Sequence, residues 1–158
     1  MTLSEEAIAI VTADVGELTP DMQVAFFELL GSTFGDVFSI VHVNDIESSP
    51  VMPLMYFSAN VVGAVQNGVR PPRGWTVHLN VWIRHDESDE IRLLSSYVDG
   101  KIWGWDDPFS GAGNIPGLLS VSSVGDVQFF TPVSEIELPE QRNWYENGAV
   151  YSCIVALE

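Results

Sequence analysis

Strict alternation of apolar and polar side chains over residues 76–84 constrains the fold of this chain more than any other feature. Every second position is aliphatic: Val77, Leu79, Val81 and Ile83. A period of two places these side chains on one face of a β-strand and their neighbours on the other face. The segment is therefore predicted to be a strand whose aliphatic face lies in the core.

A helix is predicted directly after this strand. Asp86 is a candidate N-cap, and Asp89 stands at the third helical position. The apolar stripe recurs at helical spacing and consists of Ile91, Leu94 and Val98. Gly100 is predicted to end the helix, because glycine readily adopts the conformation that follows a last helical turn. A strand followed by such a helix indicates that helices and a sheet share one core.

Two more helices are predicted near the N-terminus. Ser4 precedes Glu5 and Glu6, which is the pattern of an N-cap followed by acids at the positive end of the helix dipole. A second start signal, with proline at the first helical position, stands at residues 19–21, and this helix should run to about Gly31. Its apolar face consists of Met22, Phe26, Leu29 and Leu30.

Shorter strands are predicted over the remaining parts of the chain. They cover residues 37–43, 52–62, 118–124, 126–138 with an interruption at Pro132, and 149–157. Loops are predicted where glycine, proline or polar residues cluster, at residues 44–50, 66–74, 110–117 and 139–148. The whole pattern predicts one α+β domain over residues 1–158. We expect a single antiparallel or mixed β-sheet, flanked by N-terminal helices and one central crossing helix.

Net charge limits the partners of this chain. Six Lys and Arg against 22 Asp and Glu give a formal net charge of −16. Binding to a nucleic-acid backbone or to an anionic membrane requires clustered basic side chains, so neither specific nucleic-acid binding nor membrane binding is expected. An acidic surface favours solubility, attraction to basic proteins and repulsion of passing DNA.

The single cysteine and the first residues bear on the compartment. Cys153 alone cannot form an internal disulfide, and we expect it to be a small core residue. The N-terminus carries acids where a secretory signal would carry bases, so synthesis in the cytoplasm is expected.

Neither catalytic nor metal-binding nor cofactor-binding residues are predicted, and the chain is not expected to be an enzyme. The three histidines, His42, His78 and His85, lack the spacing of a zinc-hydrolase motif. The acids at residues 86–90 lack the pattern of a calcium loop, and the glycines at residues 111–117 depart from the dinucleotide-binding fingerprint. A hydrolase that uses carboxylates such as Asp106 remains an alternative.

Four residues are candidate interface residues. Trp103 and Trp105 are separated by one glycine beside an acidic segment, and tryptophan is enriched at protein interfaces. Burial in the core is the alternative for both. Arg70 and Arg73 lie in the predicted loop at residues 66–74, which is a candidate contact loop.

The order of elements resembles that of the tail terminator, or tail completion, proteins of long-tailed bacteriophages. Residues 53–57 are similar to the first central strand of that family, residues 77–84 to its second, and residues 87–100 to its crossing helix. Residues 127–133 and 144–155 fit its closing pair of strands.

This resemblance implies a virion structural protein of the tail-to-head connection, which caps the tail tube and forms a ring, commonly a hexamer. The partners that it implies are further copies of the chain and the tail tube and head-connector proteins, with DNA passing through the ring. The implied location is the tail or neck of the virion. The alternative function is a small acidic inhibitor or immunity-type protein that binds a basic protein partner through charge.

Overall fold

A computed structural model describes residues 2–15, 18–47, 50–65, 74–137 and 143–157. The helices in these residues are α1 (Glu5–Val15), α2 (Leu18–Phe34) and α3 (Ser88–Trp103), and two short 3₁₀ turns are η1 (Val43–Asp45) and η2 (Gly104–Asp106). The strands are β1 (Ser39–His42), β2 (Leu54–Val65), β3 (Gly74–His85), β4 (Asn114–Ile115), β5 (Leu119–Gln128), β6 (Ser134–Glu137) and β7 (Asn143–Leu157). None of the described helices has the length and apolar character needed to cross a lipid bilayer.

These strands form one mixed sheet in the order β1–β2–β3–β7–β5–β4, with β6 also paired to β7. β1 runs parallel to β2, whereas the other described pairs are antiparallel. β5 and β6 follow each other along the same edge of β7, opposite β3. The predicted α+β fold with a single mixed sheet is confirmed.

The core lies between one face of this sheet and the helices α2 and α3. The four aliphatic residues predicted on the buried face of β3 are all fully buried, and so are the four predicted on the apolar face of α2. Tyr151 and Cys153 of β7 extend the same buried face, because they pair with Leu79 and Val77 across the two strands. Alternation in β3 and helical spacing in α2 therefore identified the centre of the core correctly.

Two predicted ends of α3 are wrong. The helix continues through Gly100 and ends at Trp103, because Ile102 lies one turn beyond Val98 and is fully buried, which favours another helical turn. Gly104 is the C-cap, and its N–H bonds back to carbonyl groups of the last turn. At the other end the N-cap is Glu87 and not Asp86, and its side chain makes no capping hydrogen bond.

The strand boundaries near the C-terminus also differ from the prediction. β7 begins at Asn143, so residues 143–148, predicted as loop, are strand that is paired with β3 and β6. The polar side chains of this segment led to the loop prediction. In the structure, an aromatic and an acidic side chain of this part of β7 lie on the sheet face away from the helices. The predicted loop at residues 110–117 contains the two-residue strand β4. Predictions for residues 66–73 and 138–142 fall outside the described residues.

Cys153 is the fully buried core residue that the sequence predicts. Burial raises the pKa of its thiol from an ordinary 9.0 to about 12, and the Asp106 carboxylate adds to the rise. We expect no reaction of this thiol with a maleimide in the folded protein, and complete reaction after unfolding in urea. Mass spectrometry of the two samples measures this directly.

The raised pKa of Cys153 also predicts how stability changes at alkaline pH. The unfolded thiol ionises above pH 9.0 whereas the folded thiol stays protonated up to about 12, so the contribution to stability is complete below pH 9 and falls as the pH rises. One pKa unit corresponds to about 1.4 kcal/mol. Cys153→Ala should therefore flatten the pH dependence of the free energy of unfolding just above pH 9, under reducing conditions. Equal slopes for the two proteins would contradict this expectation.

Candidate functional site

An apolar groove lies beside α2 at the β1 edge of the sheet. It is a cavity of about 420 Å³, open to solvent. Its lining residues come from α2, β1, η1 and β2 and are Gln23, Val24, Phe27, Ile40, Val41, His42, Asp45 and Phe57. Most of these side chains are apolar, so the groove offers a surface that a hydrophobic group can cover. We call it the α2 groove.

Aromatic side chains form much of the α2 groove. Phe57 is buried, and the rings of Phe27 and His42 contact it with centroid distances of 6.4 Å and 5.6 Å. Phe27 is 43% exposed and Val24 is 57% exposed, although both are apolar. Nδ1 of His42 accepts a hydrogen bond from the Asn44 N–H at 3.2 Å, so the neutral ring carries its proton on Nε2. The groove therefore combines exposed apolar contact area with the polar ring of His42.

Gln23 fixes the position of α2 at this edge of the sheet. β1 pairs only with the first residues of β2, up to Phe57. Beyond that point the Gln23 side chain takes the place of a neighbouring strand, because its Nε2 donates to the Ala59 carbonyl and its Oε1 accepts from the Ala59 N–H at 3.1 Å. The α2 groove lies at the point where β1 ends and the Gln23 side chain continues the pairing with β2.

A second exposed apolar group stands at residues 107–111, which we call the Phe109 loop. Phe109 is 97% exposed. The loop is shaped by its own hydrogen bonds: the Phe109 N–H donates to Asp107 Oδ1 at 2.9 Å, and the Ser110 hydroxyl donates to the Asp107 carbonyl at 3.3 Å. The phenyl ring is therefore presented to solvent by an ordered turn.

The base of the Phe109 loop is anchored in the core. Trp105 is 1% exposed, its ring contacts Phe34, and its Nε1 donates to the Thr33 hydroxyl at 3.2 Å. Gly113 packs directly on Trp105, since a Cβ there would lie 2.2 Å from the Trp105 carbonyl oxygen. The loop thus begins beside the C-terminal end of α2.

The outcome of the prediction differs among the four candidate interface residues. Trp105 belongs to the core, so the interface prediction is wrong for its side chain and the alternative of burial holds. Trp103 is 38% exposed and remains a candidate contact residue. Arg70 and Arg73 lie outside the described residues. Phe109 was not predicted, although Pro108 before it and Ser110 and Gly111 after it are typical of an exposed turn.

The sheet face away from α2 and α3 carries a compact group of five side chains, which we call the outer-face cluster: Tyr56, Trp82, Arg84, Trp144 and Glu146. The rings of Tyr56 and Trp82 are stacked with their centroids 6.2 Å apart. The Arg84 guanidinium lies over the Trp144 and Tyr56 rings, at 4.1 Å and 5.4 Å from their centroids. Glu146 Oε1 accepts from the Tyr56 hydroxyl at 2.6 Å and from Arg84 Nε and Nη2 at 3.1 Å and 3.0 Å.

The outer-face cluster joins three strands, and its two charged side chains are paired with each other. Its members come from β2, β3 and β7, and the Arg84 and Glu146 side chains are only 13% and 14% exposed. Trp82 lies directly over Gly148, where a Cβ would be 2.4 Å from the indole ring. Burial and the hydrogen bond to Glu146 raise the pKa of Tyr56, so its hydroxyl stays a donor. The cluster is therefore a structural element of the sheet.

The three histidines lie in separate parts of the structure. His42 lines the α2 groove, His78 faces the outer side of β3, and His85 lies between Asp86 and Glu90 with nitrogen-to-oxygen distances of 3.3 Å and 3.2 Å. Within the described ranges, no three His, Cys, Asp or Glu side chains take up an arrangement suited to a metal ion.

Neither a protein-family model nor a curated protein matches this chain.

Proposed function

We propose that this chain is a structural subunit of a bacteriophage tail-to-head connection, which assembles with further copies of itself into a ring that caps the tail tube. The observation that carries the proposal is the presence of two separate exposed apolar surfaces at different positions along α2. The α2 groove involves Gln23, Val24 and Phe27, whereas the Phe109 loop begins beside Thr33 and Phe34. The element order, similar to that of tail terminator proteins, agrees with the proposal.

Two different contact surfaces on one subunit favour head-to-tail assembly. When surface one of each copy binds surface two of the next, the contacts are heterologous and generate a closed ring if the rotation between copies permits closure. Copies with a net charge of −16 repel each other, so contacts between them depend on exposed apolar side chains, and each of the two surfaces carries one carboxylate, Asp45 or Asp107. Both surfaces expose large apolar side chains, such as Phe27 and Phe109.

The proposed ring is tested by measuring mass in solution and by imaging. We expect light scattering to give one mass that is a small whole multiple of the subunit mass, and electron microscopy to show rings of uniform diameter. A strict monomer at all concentrations, both alone and with a tail tube protein, would contradict the proposal. Tight one-to-one binding to a basic protein with strong salt dependence would instead support the inhibitor alternative.

A further inference from the structure

We propose that the α2 groove binds a basic segment of another protein, in which one large apolar side chain is flanked by Lys or Arg. The apolar side chain enters the groove, and the basic side chains pair with carboxylates beside it. This inference goes beyond the proposed ring and does not rest on it, because a separate subunit is sufficient for the binding. The distribution of charge around the groove carries the inference.

Charge is distributed unevenly along the chain. The first 69 residues contain nine Asp and Glu and neither Lys nor Arg, so all six basic residues follow this part. Every element that lines the groove, namely α2, β1, η1 and β2, lies within these residues. None of the described Lys or Arg side chains lines the groove. The groove is therefore an apolar site in a part of the chain whose formal charge is entirely negative.

Three exposed carboxylates stand at the groove. Asp45 of η1 is one of the lining residues. Asp21 and Glu28 stand three positions before and four positions after Val24, so all three share one exposed side of α2. The two acids are about 10 Å apart along the helix axis, with Val24 between them. Among the residues that the structure describes, no Lys or Arg forms an ion pair with any of these carboxylates.

Apolar burial and charge have different roles in the proposed contact. Val24 and Phe27 are 57% and 43% exposed, and removing their apolar surface from water favours association. Exposed ion pairs contribute little affinity each, but opposite charges across an interface speed association and select the partner. The apolar side chain therefore supplies most of the affinity, and the flanking Lys or Arg supply the selectivity.

The size and chemistry of the groove suit one large apolar side chain. The cavity of about 420 Å³ is open to solvent, so a side chain can enter it from outside. Phe27 and Phe57 offer aromatic surface for its packing. Both polar groups of the Gln23 amide are bonded to the Ala59 backbone, so recognition of a charged partner is left to the carboxylates.

A synthetic peptide tests the proposed site. The probe is a short fluorescent peptide with a central phenylalanine, lysines on both sides, and glycine and serine elsewhere. Fluorescence anisotropy measures its binding to the dilute protein at low salt. We expect a peptide with alanine at the centre to bind at least about tenfold more weakly, because it lacks the apolar anchor. A peptide with glutamate in place of lysine should not bind.

Val24→Arg and Leu93→Arg are matched variants that locate the bound peptide. Each replaces an exposed apolar side chain of a helix by a positive charge, and only Val24 lines the groove. Val24→Arg should weaken peptide binding by at least about tenfold, whereas Leu93→Arg should change it by less than about twofold. Both sites are exposed, so circular dichroism should show the fold of the wild type in each.

Glu28→Gln tests the carboxylates beside the groove. The variant should weaken binding of the lysine peptide by about threefold at low salt, and the difference should shrink at high salt. Glu87→Gln is the matched control, because Glu87 is an exposed acid at the start of α3 whose side chain makes no capping hydrogen bond. It should leave the affinity unchanged.

The outcomes separate this inference from the proposed ring. Equal losses in Val24→Arg and Leu93→Arg, or equal binding of the phenylalanine and alanine peptides, would mean general attraction to an acidic surface and would overturn the inference. If Val24→Arg abolished rings without changing peptide binding, a further copy would fill the groove, which would overturn the inference and support the ring. A monomeric wild type that binds the peptide at the groove would support the inference and contradict the ring.

Discussion

Replacing Glu146 with alanine is expected to lower the free energy of unfolding by about 3–5 kcal/mol, because it leaves the Arg84 charge almost buried without a counter-ion. Glu146 Oε1 is the acceptor for Nε and Nη2 of Arg84 and for the Tyr56 hydroxyl. Water cannot replace these bonds fully, since the guanidinium lies against the Trp144 and Tyr56 rings. Urea unfolding followed by circular dichroism measures the loss.

A double variant distinguishes the cost of an unpaired charge from the value of the ion pair. Arg84→Met with Glu146→Leu replaces both charges by apolar side chains of similar size, and most of the stability lost in Glu146→Ala should return. Because self-association changes apparent stability, the measurements are compared at two protein concentrations. A loss below about 1 kcal/mol in Glu146→Ala would mean that the pair behaves like an exposed surface ion pair.

Gly113→Ala is expected to destabilise the folded chain by about 3 kcal/mol, because the new methyl group overpacks a buried site. Its Cβ would lie 2.2 Å from the Trp105 carbonyl oxygen and 2.8 Å from the Trp105 Cβ, so the backbone has to move. The same glycine accepts a hydrogen bond from the Val121 N–H through its carbonyl at 2.9 Å. Thermal unfolding of the variant measures the cost.

Gly104→Ala is the matched control for this substitution. Gly104 has right-handed helical dihedral angles and nothing within 4 Å of its Cβ position, so alanine there should be neutral or stabilise by about 0.5 kcal/mol. Equal stabilities of the two variants would contradict the packing described for Gly113.

Local sequence pattern was sufficient for the elements whose burial follows a simple period. The alternation in β3 and the spacing of Met22, Phe26 and Leu29 in α2 both correspond to side chains that are fully buried. Gly100 misled the prediction of the helix end, because glycine propensity is weaker than the burial of Ile102 one turn later.

The two surfaces and the outer-face cluster could not be predicted in the same way, because they depend on contacts between distant parts of the chain. Tyr56 and Glu146 are separated by 90 positions and meet only when β3 lies between β2 and β7. The α2 groove requires β1 to run parallel beside β2, and β1 has only four residues. A period read along one segment contains no information about such pairings.

The side-chain amide of Gln23 limits how far backbone pairing can extend at the β2 edge of the sheet. An uncovered strand edge can pair with any other strand, and growth by such backbone pairing has no defined end. At Ala59, Gln23 occupies both backbone groups that an incoming strand would use. The Gln23 amide therefore blocks open-ended addition of strands at this position of the β2 edge, and it does so with one side chain in place of a further strand.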